Sequence, residues 1–514
     1  MAIKTSRYFD KKLLYLLLLP LFFLLHGVNE NFGLIPFNIV FKLLLIYGSI
    51  TIAIVLLSMA LLRKPAKAIV FSFYSLSIFF LFGASHDFLK SEIESSFFVS
   101  YTLLLPLITL ITIIFFFFIK KSKLNDTFSL RYFYYLVSVF IALEIFLFAY
   151  NVITDKSQQN NLSGKVENLS SSEKCSHMAQ PDIFFVVLDG YTSSECLKEE
   201  FDYDNSEIDS LLIVNNFFTS KSSKSNYNIT PFSLSSTLNF NYLVSGLENR
   251  SIGSKAFLQA METFKDNQIT KFLRNDGYEI KNYGCFDLDG APTLTRAYFA
   301  DLYFNQIDNQ TLSSRVKRDI GWNFTLKNPF TGQLKIPDSY KKSKQYHLYR
   351  NSFNLNGLMS ELKTQDNKPK FVYVHLILPH EPFYLDSQGK EISDTTMILN
   401  RLPMKVGYLN QLKYCNSLLK NLIPAISNSP LRNKVVVIEG DHGFRDYNKS
   451  VPMYKDFMNL NTYYFSDGDY SGLYDGISPV NSFRVVLNKY FCQSLPMLKD
   501  SSVYLTKTIN KSLL

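Results

Sequence analysis

The pattern of apolar and polar positions changes character near residue 154. Before it, five long apolar runs stand between short polar ones: Leu13–Val28, Leu43–Leu62, Ala68–Ser85, Phe97–Ile119 and Tyr132–Ile153. A helix needs roughly 18–20 apolar residues to cross the hydrocarbon of a bilayer, and most of these runs reach that length. The first is shorter and carries Pro20. No small-residue cleavage site follows it clearly, so it reads as a retained span or signal anchor and not as a removable leader. Residues 1–153 are therefore expected to form five membrane helices. Residues 155–174 then read DKSQQNNLSGKVENLSSSEK, and the polar stretch 154–180 has the composition of a linker.

Beyond residue 181 the pattern is that of a globular domain. DIFFVVLDG (182–190), YEIKNYG (278–284), FVYVHLILPH (371–380) and KVVVIEGDHG (434–443) read as strands. Residues 255–275 and 403–426 have a helical period, the latter through Leu409, Leu412, Leu418, Leu419 and Leu422. Continuous apolar strands alternating with helices predict an α/β domain with a mostly parallel central sheet over residues 181–514.

Charge settles orientation more than partnership. The net charge of +9 does not indicate nucleic acid, because many basic residues lie between the apolar runs. Lys4, Arg7, Lys11 and Lys12 precede the first run, Arg63, Lys64 and Lys67 follow the second, and Lys120, Lys121, Lys123 and Arg131 follow the fourth. The alternate loops hold few. This bias places the N-terminus in the cytoplasm, and five crossings deliver the C-terminal domain to the outer face. Glu144, inside the fifth run, is either a functional group or a carboxyl hydrogen-bonded to a neighbouring helix. The five cysteines, Cys175, Cys196, Cys285, Cys415 and Cys492, form no CxxC pair. One or two disulfides are compatible with an exported domain.

The candidate chemistry sits where strands end. In open α/β sheets ligands bind outside the carboxyl ends of the strands, and here three strands end in Asp189, His380 and the pair Asp441-His442. Asp-His between glycines suggests a metal ion more than a turn. His375, alternating with apolar residues inside its strand, reads as structural, and His347 in KQYHLYR as a surface residue. The hydroxyl-rich stretch SNYNITPFSLSSTLNFNYL (225–243) places Thr230 before Pro231 at an expected helix start. A hydroxyl there is either an N-cap or a nucleophile, since helix N-termini favour anions.

PDIFFVVLDGY, SNYNITPFSLSSTLN, HLILPHEPF and VVVIEGDHG occur in the order and approximate spacing of the sulfatase-like branch of the alkaline phosphatase superfamily, which the chain resembles. Five crossings before such a domain look like lipoteichoic acid synthase and the related phosphoglycerol and phosphoethanolamine transferases. The resemblance implies one divalent metal, Zn²⁺ or Mn²⁺, held by Asp189, Thr230, Asp441 and His442. It implies Thr230 as the covalent nucleophile and His380 as a contact to the transferred group. Where true sulfatases carry a Cys or Ser that becomes formylglycine, and an arginine four residues on, this chain has Thr230 and Leu234. That departure speaks against sulfate esters. The implied reaction moves a phospholipid headgroup phosphate to an envelope glycan or polymer through a phosphothreonine-type intermediate, at a bacterial-type plasma membrane, with the catalytic domain periplasmic or extracellular. A membrane-tethered sulfatase-like hydrolase or phosphodiesterase is the competing enzyme reading. A non-catalytic scaffold is the third, disfavoured by the presence of Thr230, Asp441 and His442.

Overall fold

The computed structural model describes residues 3–93, 97–122, 128–154, 162, 167, 169, 180–243, 251–295, 300–321, 334–431, 433–445 and 451–507. The chain divides into two compact units: Met1–Asn160 with Ala300–Lys335 and Asn510–Leu514, and Asn161–Phe299 with Ile336–Ile509. The expected linker, 154–180, lies largely outside the described residues.

The first unit is helical. Its first five helices are α1 (Ile3–Glu30), α2 (Phe37–Leu62), α3 (Pro65–Glu92), α4 (Tyr101–Lys121) and α5 (Phe128–Ile153). Among the described residues, four stretches are long and apolar enough to cross a membrane: α2, α3, α4 and Tyr134–Ile153 of α5. Among the described residues, the apolar part of α1 is the shorter Leu16–Glu30. Pro20 lies inside α1. Helices α1 and α5 run in the same direction, since Phe22 meets Phe140, His26 meets Glu144 and Phe32 meets Phe148. Glu144 accepts hydrogen bonds from His26 and Asn29 of α1, so its carboxyl bridges two helices.

Residues 300–335, inside the span read as the catalytic domain, group with this helical unit. They include helices Ala300–Asp308 and Leu312–Ile320. Asp308 accepts from Tyr47 at 3.0 Å, Arg315 makes a two-pronged pair with Asp87, and Tyr101 donates to Asp319. Gly83 of α3 donates to the Gln310 carbonyl at 2.9 Å. A Cβ at position 83 would fall 2.6 Å from Gln310 backbone, so only glycine permits that approach.

The second unit is the expected α/β domain. Its six-stranded sheet has the order β2-β7-β6-β1-β5-β4. The strands are β1 (Asp182–Leu188), β2 (Phe218–Thr219), β4 (Glu279–Tyr283), β5 (Lys370–Leu376), β6 (Lys434–Glu439) and β7 (Asn461–Phe465). A separate parallel pair joins β3 (Ser251–Ile252) to β8 (Thr506–Lys507). Within the sheet only β7 runs against its neighbours. β1, β5 and β6 are buried along their whole length, which is why their sequences are unbroken apolar runs. One face of the sheet presents Phe184, Val186, Leu188, Val372, Val374, Val436 and Ile438 to a core completed by helices Ser206–Val214, Asp338–Glu361 and Met404–Ser427. On the other face Phe185 packs on Phe483 of the helix Pro479–Tyr490, and Tyr373 packs on Phe264 of the helix Ser254–Lys265. The helical period read over 255–275 is broken into two helices, the second being Gln268–Asn275, which Asn267 caps from its side chain.

Candidate metal centre and nucleophile

Strand register builds the site. β1 lies between β5 and β6, with Val187 opposite both His375 and Glu439. Side chains in register share a face and alternate with period two. Two residues further on, β1 and β6 reach Asp189 and Asp441. The sheet thus brings two carboxylates side by side at the carboxyl ends of its central strands, on the face that also carries His375 and Glu439.

The turns after these strands hold the rest. Gly190 has φ +73°, and its N–H donates to Asp441 Oδ1 at 2.9 Å. The Tyr408 hydroxyl fixes this turn by donating to the Gly190 carbonyl at 2.8 Å. The His380 N–H donates to the Asp189 carbonyl at 3.0 Å, fastening the loop after β5 beside β1. Thr230 opens the fully buried helix Thr230–Leu238, and Ile229 before it is extended. Ser233, one turn on, donates to the Asp441 carbonyl at 2.6 Å, locking the helix against the end of β6.

These anchors bring all the expected residues together. Thr230 Oγ1 lies 3.2 Å from His442 Nε2. That nitrogen is 3.5 Å from Asp189 Oδ1 and 3.4 Å from Asp441 Oδ2. His380 Nε2 is 4.0 Å from Asp189 Oδ1, and Asp189, His380 and His442 each offer a ligand atom within 4.8 Å of the others. His442 donates Nδ1–H to the Gly443 carbonyl at 2.7 Å, which leaves Nε2 with its lone pair toward the cluster. His380 donates Nδ1–H to the Glu381 carbonyl in the same way, but its Nε2 accepts from Arg445 Nη2 at 2.6 Å. The lone pair of His380 is thereby engaged, whereas that of His442 faces Thr230 and the carboxylates.

The electrostatics suit a cation. Burial raises the Asp189 pKa, but His380, His375 and His442 outweigh it and hold the carboxyl well below its ordinary range. Burial, then the charge of Asp189, pushes Asp441 up to about 6. Burial, then Arg445, drives His442 down, so it is neutral near pH 7, the form that binds metal. Glu439, beneath Asp441, is raised well above its ordinary range by burial and then by that neighbour's charge. Asp189 Oδ1 and Asp441 Oδ2 are buried without a hydrogen-bond donor among the described residues. Adjacent buried carboxylate oxygens without donors are costly unless a positive ion sits between them. Two carboxylates, a neutral imidazole and a hydroxyl suit a divalent metal.

One residue keeps its sequence reading with added detail, one departs from it and one escaped it. His375 is structural in the sense of holding another side chain: its Nε2 lies 3.4 Å from Asp189 Oδ2, while its Nδ1 contacts the Tyr373 hydroxyl at 2.9 Å and Cys285 Sγ at 3.1 Å. His347 is not on the surface. It is 7 % exposed, packs edge-on against Tyr384, and burial, then Arg350, lowers its pKa to about 4. Arg445, which sequence reasoning passed over, donates to the Asn228 carbonyl at 2.8 Å as well as to His380. It joins the approach to Thr230 with the loop after β5, and lines a cleft with His380, His442 and Phe444. The available signal was its place three residues after His442 in DHGFR.

A mostly parallel sheet with helices on both faces, two carboxylates and an imidazole at its central strand ends, and a hydroxyl at a helix start are suited to processing an ester with the help of a divalent metal. The Sulfatase family model matches residues 209–483, and the chain belongs to that family. The match includes Thr230, His380, Asp441 and His442, and begins after Asp189. No curated protein matches the chain. Among solved structures, it is similar to the soluble domain of lipooligosaccharide phosphoethanolamine transferase A from Neisseria meningitidis, at 15 % identity and a TM-score of 0.36, covering 63 % of this chain and 89 % of that one. It is similar to the zinc complex of the C-terminal periplasmic domain of EptC from Escherichia coli, at 14 % identity and 0.36, covering 60 % and 82 %. It is also similar to a phosphonate monoester hydrolase of Agrobacterium radiobacter, at 11 % identity and 0.35, covering 60 % and 74 %. The family assignment rests on the sequence match.

Proposed function

We propose that this sulfatase-family membrane enzyme transfers a phospholipid headgroup phosphate, phosphoethanolamine or phosphoglycerol, to an envelope glycan or polymer through a covalent Thr230 ester. The observation that carries the reading is the Thr230 hydroxyl at a helix start, 3.2 Å from His442 Nε2 and beside two buried carboxylates, in a chain that also carries membrane helices. Asp189, Asp441, His442 and Thr230 would hold one divalent metal, Zn²⁺ or Mn²⁺. When bound, it supplies a lowered hydroxyl pKa at Thr230 and a positive charge for the phosphoryl oxygens.

The chain's own residues do the rest. Thr230 stands at the N-terminal, positive end of the dipole of the helix Thr230–Leu238, where a negative phosphate is favoured. Arg445 and His380 face the same cleft and are placed to hold non-bridging oxygens. His375 keeps Asp189 oriented. In the first step the Thr230 Oγ–P bond forms as the P–O bond to diacylglycerol breaks. The net proton passes from the threonine hydroxyl to the diacylglycerol oxygen. In the second step an acceptor hydroxyl attacks phosphorus, the Thr230 ester breaks, and the acceptor's proton returns to Oγ.

The membrane helices keep the domain near its lipid donor and raise the local donor concentration. The Lys and Arg bias supports a cytoplasmic N-terminus and a periplasmic or extracellular catalytic domain. The disulfide at Cys492 supports the same compartment. Catalytic residues are assigned to the span 181–514, with 300–335 serving the helical unit.

The test is a product analysis with headgroup-labelled phospholipid and the full-length protein, with and without glycan acceptor. Label on the acceptor is expected. Release of free headgroup phosphate at a rate indifferent to the acceptor would establish the hydrolase reading instead.

A further inference from the structure

A second polar cluster lies within the helical unit. Glu144 of α5 is 6 % exposed, among apolar residues. His26 Nδ1 is 2.9 Å from its Oε1. Asn29 Nδ2 donates to its Oε2 at 2.6 Å and to its main-chain carbonyl at 2.8 Å. Both partners of that amide nitrogen are acceptors, so the amide orientation is fixed. Asn29 Oδ1 is then a buried acceptor with no donor among the described residues. His26 spends one nitrogen on Glu144, and its side chain is 54 % exposed.

The cluster sits between two aromatic contacts of the α1–α5 seam, Phe22 with Phe140 and Phe32 with Phe148. Leu143, Ile145 and Leu147, around Glu144, are exposed apolar residues, as expected of a lipid-facing helix. His26 lies four residues before the end of α1, roughly 6 Å along the axis. The cluster is thus in the half of α1 and α5 from which α5 runs on toward β1. Simple bridging between helices accounts for the Asn29 amide N–H groups and the Glu144 oxygens. It leaves a buried carbonyl oxygen unsatisfied and an imidazole open to an apolar surrounding, both of which cost free energy.

We infer that His26, Asn29 and Glu144 form a binding site for a phospholipid whose headgroup carries a primary ammonium. The ammonium has three N–H donors for Glu144 and Asn29 Oδ1, and His26 stands at the open side, where the lipid phosphate is an acceptor for it. A quaternary ammonium has no N–H to give, and an uncharged glycerol headgroup brings no cation. The binding claim stands by itself. Use of the bound lipid as donor rests on the transferase reading.

The test is native mass spectrometry of the full-length protein in detergent, delipidated and then mixed with phosphatidylethanolamine, phosphatidylcholine or phosphatidylglycerol of identical acyl chains. Thr230→Ala is used as the background so that no turnover occurs. Phosphatidylethanolamine is expected to be retained at least about tenfold better than the other two, a gap in keeping with loss of one charge-assisted hydrogen bond. Glu144→Gln is expected to erase the preference. Equal retention of the three lipids, preferred retention of phosphatidylglycerol, or an intact preference in folded Glu144→Gln overturns the inference. If Glu144→Gln does not fold, the comparison of lipids on the unaltered site decides alone. A chain that shows the preference but transfers no headgroup keeps this site and loses the proposed reaction. A chain that transfers headgroup without the preference does the reverse.

Discussion

Replacing Arg445 by alanine removes a group that makes two bonds at once, 2.8 Å to the Asn228 carbonyl and 2.6 Å to His380 Nε2. Asn228 is two residues before Thr230, so the guanidinium both spaces the nucleophile from His380 and offers positive charge to a phosphoryl oxygen in the cleft. Loss of one preorganised donor to a reacting anion costs on the order of 10²–10³ in kcat. The lower end applies here, because His380 remains beside the same oxygens. The expectation for Arg445→Ala is therefore a fall of about 10²-fold in kcat. Arg445→Lys keeps the charge but cannot span both partners, since an ammonium is a point donor without a planar fork, and should lose roughly tenfold. The assay is steady-state headgroup release from labelled phospholipid in nanodiscs, with metal content measured on the same samples. A loss in Arg445→Ala below about threefold at unchanged metal content, far short of the cost of a lost oxyanion donor, would refute the reasoning.

His375→Gln should lower metal affinity by roughly 10–100-fold through misorientation of Asp189 while leaving the fold intact, as read by zinc titration calorimetry and circular dichroism. In metal-free protein the raised pKa of Asp441, about 6 against an ordinary 3.8, gives a stability contribution that is complete below about pH 4 and lost as pH rises through about 6. Asp189, held below its ordinary range, opposes this only at lower pH. His347 and His442, held below their ordinary range, act in the opposite sense across the same window, so the reading is differential: the melting temperature of the metal-free chain relative to Asp441→Asn should fall between about pH 4 and 6, and added metal should restore the unaltered chain. A flat difference in that window contradicts the assignment.

The parts of the molecule legible in the sequence are those whose signal is local and repeated. β1, β5 and β6 are central parallel strands, and burial on both faces writes them as unbroken runs such as FVYVHL and VVVIE. The residues that follow them are confined to one rim by the topology, so Asp189, His380 and Asp441-His442 were readable as a set. Thr230 was readable because proline marks the first turn of its helix. What escaped depended on distant partners. β2, a two-residue edge strand, and β7, the antiparallel strand beside it, are short and carry no strong pattern. The helices Ala300–Asp308 and Leu312–Ile320 join the membrane helices through Asp308, Arg315 and Asp319, polar residues whose partners lie more than 200 positions away. His347 looked exposed because its neighbours are Tyr, Gln, Lys and Arg, yet Tyr384 covers it. Arg445 was passed over because Asn228 and His380, the partners that define its role, lie far from it in sequence.

The central claim is that a threonine side chain carries the headgroup between donor and acceptor. Full-length protein incubated with phospholipid and no acceptor, quenched with acid and digested, permits a direct reading by mass spectrometry of the peptide that contains Thr230. The account predicts a phosphoethanolamine or phosphoglycerol adduct on Thr230 that disappears when acceptor is added and never forms in Thr230→Ala. Turnover without any adduct on Thr230, or persisting in Thr230→Ala, would contradict it.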